Sequence, residues 1–205
     1  QFDVFRRLDS REIPAALSQG FGAENALVIL PSKADPALLQ AYQQLATNWQ
    51  KTQSIRLEII QDHQLDKLPV DRTIWVLGWE NRFSQSVLSS LESQKVSYQA
   101  NKLQIAQQHY HQAVHAVVLT ARQPENADKT LLWVAAHHPS AIAELARKLP
   151  HYRKYSFLVF KGHELTNIDK GQWPITQSPL TQKIHQQDDP SFASDHVGSL
   201  SPRRA

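Results

Sequence analysis

The chain contains neither cysteine nor methionine among its 205 residues. Without cysteine it can form no disulfide, no thiolate nucleophile and no Cys-ligated metal centre. Without methionine it has no initiator residue, so it is expected to be a fragment or mature piece of a longer polypeptide. Glycine is scarce, with six residues, and Gly20-Phe21-Gly22 is the one close pair. That pair lacks a third glycine and precedes a strand-like run, so no helix N-terminus would meet a dinucleotide phosphate. No Walker loop and no G-x-S-x-G elbow occurs, which removes the support for phosphoryl transfer and for the usual α/β-hydrolase chemistry. No apolar run approaches the roughly 18 residues of a membrane span, so no membrane insertion by this chain is expected. The opening residues are polar, carry Arg6 and Arg7, and do not have the pattern of a secretory signal. Charge of one sign is also wanting. The net charge is only +3 and the basic residues are scattered, which argues against nucleic acid as a partner.

What the chain does have is a clear strand–helix–strand pattern from Thr130 to Phe160. Leu131 to Ala136 is apolar at every position, as a strand buried on both faces should be. Pro139 suits the first helical position, where a missing N–H costs nothing. Ile142, Leu145, Ala146 and Leu149 then fall at i, i+3, i+4 and i+7 and make one apolar stripe. Pro150 stops the helix and Phe157 to Phe160 returns to the sheet.

The same reading extends over the rest. Ala26–Leu30, Thr73–Leu77 and Ala116–Ala121 are further buried strands, and Ile55 to Ile60 alternates like an edge strand. A helix starting at Asp35-Pro36 carries Leu38, Tyr42, Leu45 and Trp49 inward, and another is expected over Arg82–Ser93. Asp9 and Glu12 have capping-box spacing, so a short helix is expected there, limited by Pro14. Val96 to Ile105 reads as a small hairpin turning at Ala100 and Asn101. The predicted class is α/β: a mixed, mostly parallel central sheet with helices on both faces, Rossmann-like or flavodoxin-like, plus an extended C-terminal segment. The expected organisation is a leader segment packed on the domain over 1–22, the α/β domain over 23–162, an extended packed segment over 163–180, and a disordered tail over 181–205.

The candidates for chemistry are few. His163-Glu164 begins like a zinc-protease motif, but the fifth position is Asn167, so the paired imidazoles are missing. His109, His111 and His115 read as surface histidines, since a metal needs three or four convergent ligands and no cysteine joins them. Arg147, Lys148, His151, Arg153 and Lys154 form the densest basic patch, which a helix C-terminus favours on electrostatic grounds alone. No catalytic or metal-binding residue is assigned, and no cofactor is expected in this chain. If the buried strands are parallel, their C-terminal ends share one edge, where open α/β sheets bind ligands. That crevice would gather Ser32 and Lys33, then Trp79, Glu80, Asn81 and Arg82, then His137 and His138. The same two histidines also suit a plain helix-capping turn.

Three strings carry a resemblance: FDVFRRLDSREIP (2–14), LARKLPHYRKYSFLVF (145–160) and TNIDKGQWPITQSPL (166–180). They resemble the segment following the catalytic region in large bacterial proteins related to aminopeptidase N, the zinc metallopeptidases. That family's H-E-x-x-H and Gly-x-Met-Glu-Asn loop do not occur here, so no catalytic residue carries over. The resemblance implies an accessory or interaction domain whose partners are other domains of the same polypeptide. It also implies zinc elsewhere in the parent protein, and a periplasmic or envelope location. The alternative is a small-ligand-binding or enzymatic α/β domain using the loops at the C-terminal sheet edge.

Overall fold

The computed structural model describes residues 8–52 and 56–175. The strands are β1 (Asn25–Leu30), β2 (Arg56–Gln61), β3 (Thr73–Leu77), β4 (Val96–Gln99), β5 (Lys102–Ile105), β6 (Gln108–His111), β7 (His115–Arg122), β8 (Thr130–Ala135), β9 (Phe157–Lys161) and β10 (Thr166–Gly171). The α-helices are α1 (Leu17–Phe21), α2 (Pro36–Thr52), α3 (Ser84–Ser89) and α4 (Pro139–Lys148). Seven strands make one sheet in the order β10-β9-β7-β8-β3-β1-β2, and β4-β5-β6 make a second. The fold is therefore α/β around a mixed sheet.

The finer expectation needs amending. Pairs β1·β2, β1·β3 and β3·β8 are parallel, while β7·β8, β7·β9 and β9·β10 are antiparallel. Parallel pairing thus fills half of the sheet instead of most of it. The cause is β7, which slots between β8 and β9. The strand–helix–strand unit is real, but its two strands, β8 and β9, are not neighbours: β7 lies antiparallel between them. The hairpin gains a third strand, β6, and the helix expected over 82–93 is the short α3 followed by a 3-10 turn, Glu92–Gln94. The Asp9/Glu12 capping box closes only a 3-10 turn, Ser10–Glu12, before Pro14. From 166 the chain is not merely extended: β10 pairs along β9, with a register shift between Asn167 and Asp169. The tail expected over 181–205 lies outside the described residues.

Alternating side chains divide the core in two. Val28, Leu30, Trp75, Leu77, Leu132 and Val134 face α1, α2 and α4. Leu27, Ile29, Ile74, Val76, Leu131 and Trp133 face α3 and the small sheet. At roughly 25 cal/mol per Å² of apolar area removed from water, these two layers are the main stabilising term. A Cβ at Gly20 would lie 2.6 Å from Trp75 Cζ2 and 2.8 Å from Leu132 Cδ2. Glycine is there so that α1 can sit directly on β3 and β8. Near the last described residues, Trp173 is buried, stacks on Phe157 and donates from Nε1 to the Thr120 carbonyl at 2.6 Å. Among the described residues, no helix is long and apolar enough to cross a membrane.

Candidate functional site

Because β2, β1, β3 and β8 are parallel, the loops after them share one edge of the sheet. Strand order reverses at β1, so the crevice position is between the ends of β1 and β3. That position is filled by the chain's own groups. Asn81 is buried, and its Nδ2 donates to the Ile29 and Leu77 carbonyls at 2.9 Å each. Its Oδ1 accepts from the Phe83 N–H at 3.1 Å. Asp62, also buried, accepts from Ser32 N–H at 3.1 Å on one oxygen and from Arg82 N–H at 3.0 Å on the other. Gly78 turns the chain with φ +92°, and a Cβ there would lie 2.6 Å from Pro31 Cγ.

Ser32, Asn81 and Arg82 are thus brought together, through Asp62 and the two strand ends. Trp79 is buried elsewhere, stacked on Tyr98 with centroids 5.3 Å apart and edge-on to Trp133 at 5.2 Å. Lys33 and the Arg82 side chain face solvent, and Glu80 is half-buried. Asp62 was not singled out from the sequence, since an acid after a half-exposed strand looks like any surface turn residue. Its only local signal is position, just past the end of a parallel strand.

Burial pushes the Asp62 carboxyl up, but hydrogen bonds from the Ser32 hydroxyl and the Arg82, Ser32 and His63 amides outweigh it and hold it below its ordinary value. A depressed folded-state pKa contributes stability that is whole above the unfolded value of about 3.9 and is lost as pH falls through the folded one. Urea titrations of wild type and Asp62→Asn at neutral pH and at pH about 3 should therefore converge, the wild type losing more on acidification. Parallel losses in the two proteins would show that Asp62 is not the linked group.

The other two predicted residues, His137 and His138, sit in a separate place. Tyr42 of α2 is fully buried, and its hydroxyl donates to the Ala136 carbonyl and accepts from the Ala136 N–H, both at 2.8 Å. This clamp fixes where the chain leaves β8. Since β7 is antiparallel to β8, its first residue, His115, arrives at the same edge. The turn after β9, held by Gly162 N–H on the Val114 carbonyl at 3.2 Å, adds His163. His115, His137, His138 and His163 line one cavity of about 260 Å³, with Lys161 at its rim. None of Ser32, Lys33, Trp79, Glu80, Asn81 or Arg82 lines it. His138 and His163 stand edge to face at 4.6 Å, and His137 and His138 at 6.3 Å. Burial, then the charges of His138 and His163, lower the His137 pKa. Among the described residues no three His, Asp or Glu side chains are placed to hold a metal ion. His109 and His111 stay apart, on the small sheet with Lys102.

A further cavity of about 330 Å³ lies at the opposite edge, between Ile13, Leu91, Arg122 and Trp173. Arg122 Nη2 donates to the Ile13 carbonyl at 3.1 Å, which ties the segment before α1 to the end of β7.

Compared with known proteins, the chain matches no family model and no curated protein.

Proposed function

We propose that this chain is a non-catalytic accessory or interaction domain of a larger zinc aminopeptidase-like protein of the cell envelope. The observation that carries this reading is the closed switch point. Where an open α/β sheet would receive a cofactor or substrate, Asn81 and Asp62 spend their hydrogen-bonding capacity on the protein's own backbone. The strings behind the resemblance are consistent with it, because they build structure. Leu145, Leu149, Leu158, Val159 and Phe160 are all fully buried, and Trp173 anchors the segment after β10. The donor set does not fit a catalytic zinc: Asn167 stands where a second histidine would be needed, and Glu164 is exposed. In this reading the zinc belongs to another domain of the same polypeptide. We also read the parallel half, wound β2-β1-β3-β8, as flavodoxin-like in strand order, with α3 completing helical cover on the second face.

Two measurements test this. The purified chain, supplied with zinc, is expected to release no nitroaniline from aminoacyl-anilides above the buffer rate. Zinc-dependent release that disappears in His163→Ala would overturn the non-catalytic reading. The contiguous reading frame is expected to encode an H-E-x-x-H region with a downstream glutamate. A frame without one would remove the accessory role.

A further inference from the structure

We propose that the four-histidine cavity at the end of β8 binds a small carboxylate with a short apolar tail and no ammonium group. This goes beyond the accessory-domain reading and does not depend on it. The cavity draws its lining from three separate segments: the start of β7, the end of β8 with the first turn of α4, and the β9–β10 turn. Its polar groups are four imidazoles and the Lys161 ammonium, and among the described residues no carboxylate lines it. The remainder of the wall is aliphatic, including Val114, Ala136, Ala141 and Leu165.

The hydrogen bonds sort the imidazole nitrogens. His138 Nδ1 accepts from the Ser140 N–H at 3.3 Å, so neutral His138 carries its proton on Nε2. His115 Nδ1 lies 2.9 Å from the His111 carbonyl and must donate to it, which leaves Nε2 as the nitrogen that gains a proton. His138 Nε2–H is therefore a donor in either protonation state of its ring. Crowding imidazoles at 4.6 Å and 6.3 Å makes simultaneous protonation costly unless an anion sits among them. In the free protein burial first, and then the charges of His138 and His163, lower the His137 pKa, so this repulsion is the lesser part of that shift.

The rest of the lining narrows the anion. A phosphate would have no arginine fork to meet it and would face aliphatic walls on several sides. An amino acid would bring an ammonium group with no carboxylate to pair with. The volume is that of roughly eight or nine waters at about 30 Å³ each, which suits a monocarboxylate of about six to ten non-hydrogen atoms. Two sources share this chemistry: a free branched fatty acid and the C-terminal carboxylate of an acylated peptide.

Histidine Cε1–H resonances of the whole chain, followed by NMR while 4-methylpentanoate is added at pH about 6, test the proposal. Saturable shifts of His137, His138 and His163 are expected, with Kd on the order of 1 mM, together with an upward move of the His137 midpoint. His163→Gln, a change at an exposed position, should weaken binding about tenfold while leaving the melting temperature unchanged. N-acetyl-alanine binding more tightly than 4-methylpentanoate assigns the peptide source, and the reverse order assigns the free acid. Absence of saturation, an equal response to leucinamide or inorganic phosphate, or His163→Gln binding like wild type would each overturn the proposal.

Discussion

Replacing Asn81 with leucine is expected to lower the domain's stability by about 3–5 kcal/mol, read as a fall in the urea midpoint at unchanged slope. Leucine keeps the branching of asparagine, and its bulkier methyls add a smaller overpacking cost to the polar loss. The loss comes from three buried backbone groups that each lose a hydrogen bond: the carbonyls of Ile29 and Leu77 and the N–H of Phe83. Each such loss costs about 1–3 kcal/mol, and partial relaxation of the loop keeps the total below the sum. Since domains of this kind are stable by only about 5–15 kcal/mol, the variant should be close to the folding threshold. The amide of Phe83 should also exchange faster than its neighbours in α3. A loss below about 1 kcal/mol would mean that water replaces the side chain, and the edge would then be open enough to admit a ligand.

Tyr42→Phe is expected to cost about 2–4 kcal/mol, although it removes a single oxygen. That hydroxyl serves both the N–H and the carbonyl of Ala136. Burial raises the phenol pKa far above its ordinary value, so the hydroxyl remains a donor at every working pH. A ring of the same shape stays behind, which separates the lost hydrogen bonds from lost packing. The effect should concentrate at Ala136 and propagate to His137 and His138, whose imidazole resonances should broaden. A variant as stable as wild type, with Ala136 still protected from exchange, would show that the clamp is incidental.

Much of the architecture is set by local pattern. Apolar runs at 26–30, 73–77 and 131–136 read as strands buried on both faces, and the described strands lie there. Pro139 and the stripe from Ile142 determine α4, and Asp35-Pro36 marks the start of α2. An apolar run states that a strand is central, but it carries no information about which strand lies beside it or in which direction. Ala116–Ala121 therefore read as one more buried strand, while its antiparallel place between β8 and β9 was decided by packing. Two consequences follow from that one insertion. Two of the three antiparallel pairings are made by β7, and its N-terminus delivers His115 to the edge that already holds His137 and His138. His163 arrives there by the return of β9, not by any spacing within its own motif. The ends of β1 and β3 do lie side by side at the switch point where the crevice was expected. What closed it was a pair of side chains, Asp62 and Asn81, whose partners are backbone groups as far as 52 residues away. Periodicity reports burial over a few turns, whereas hydrogen bonds of that range exist only once the sheet has assembled.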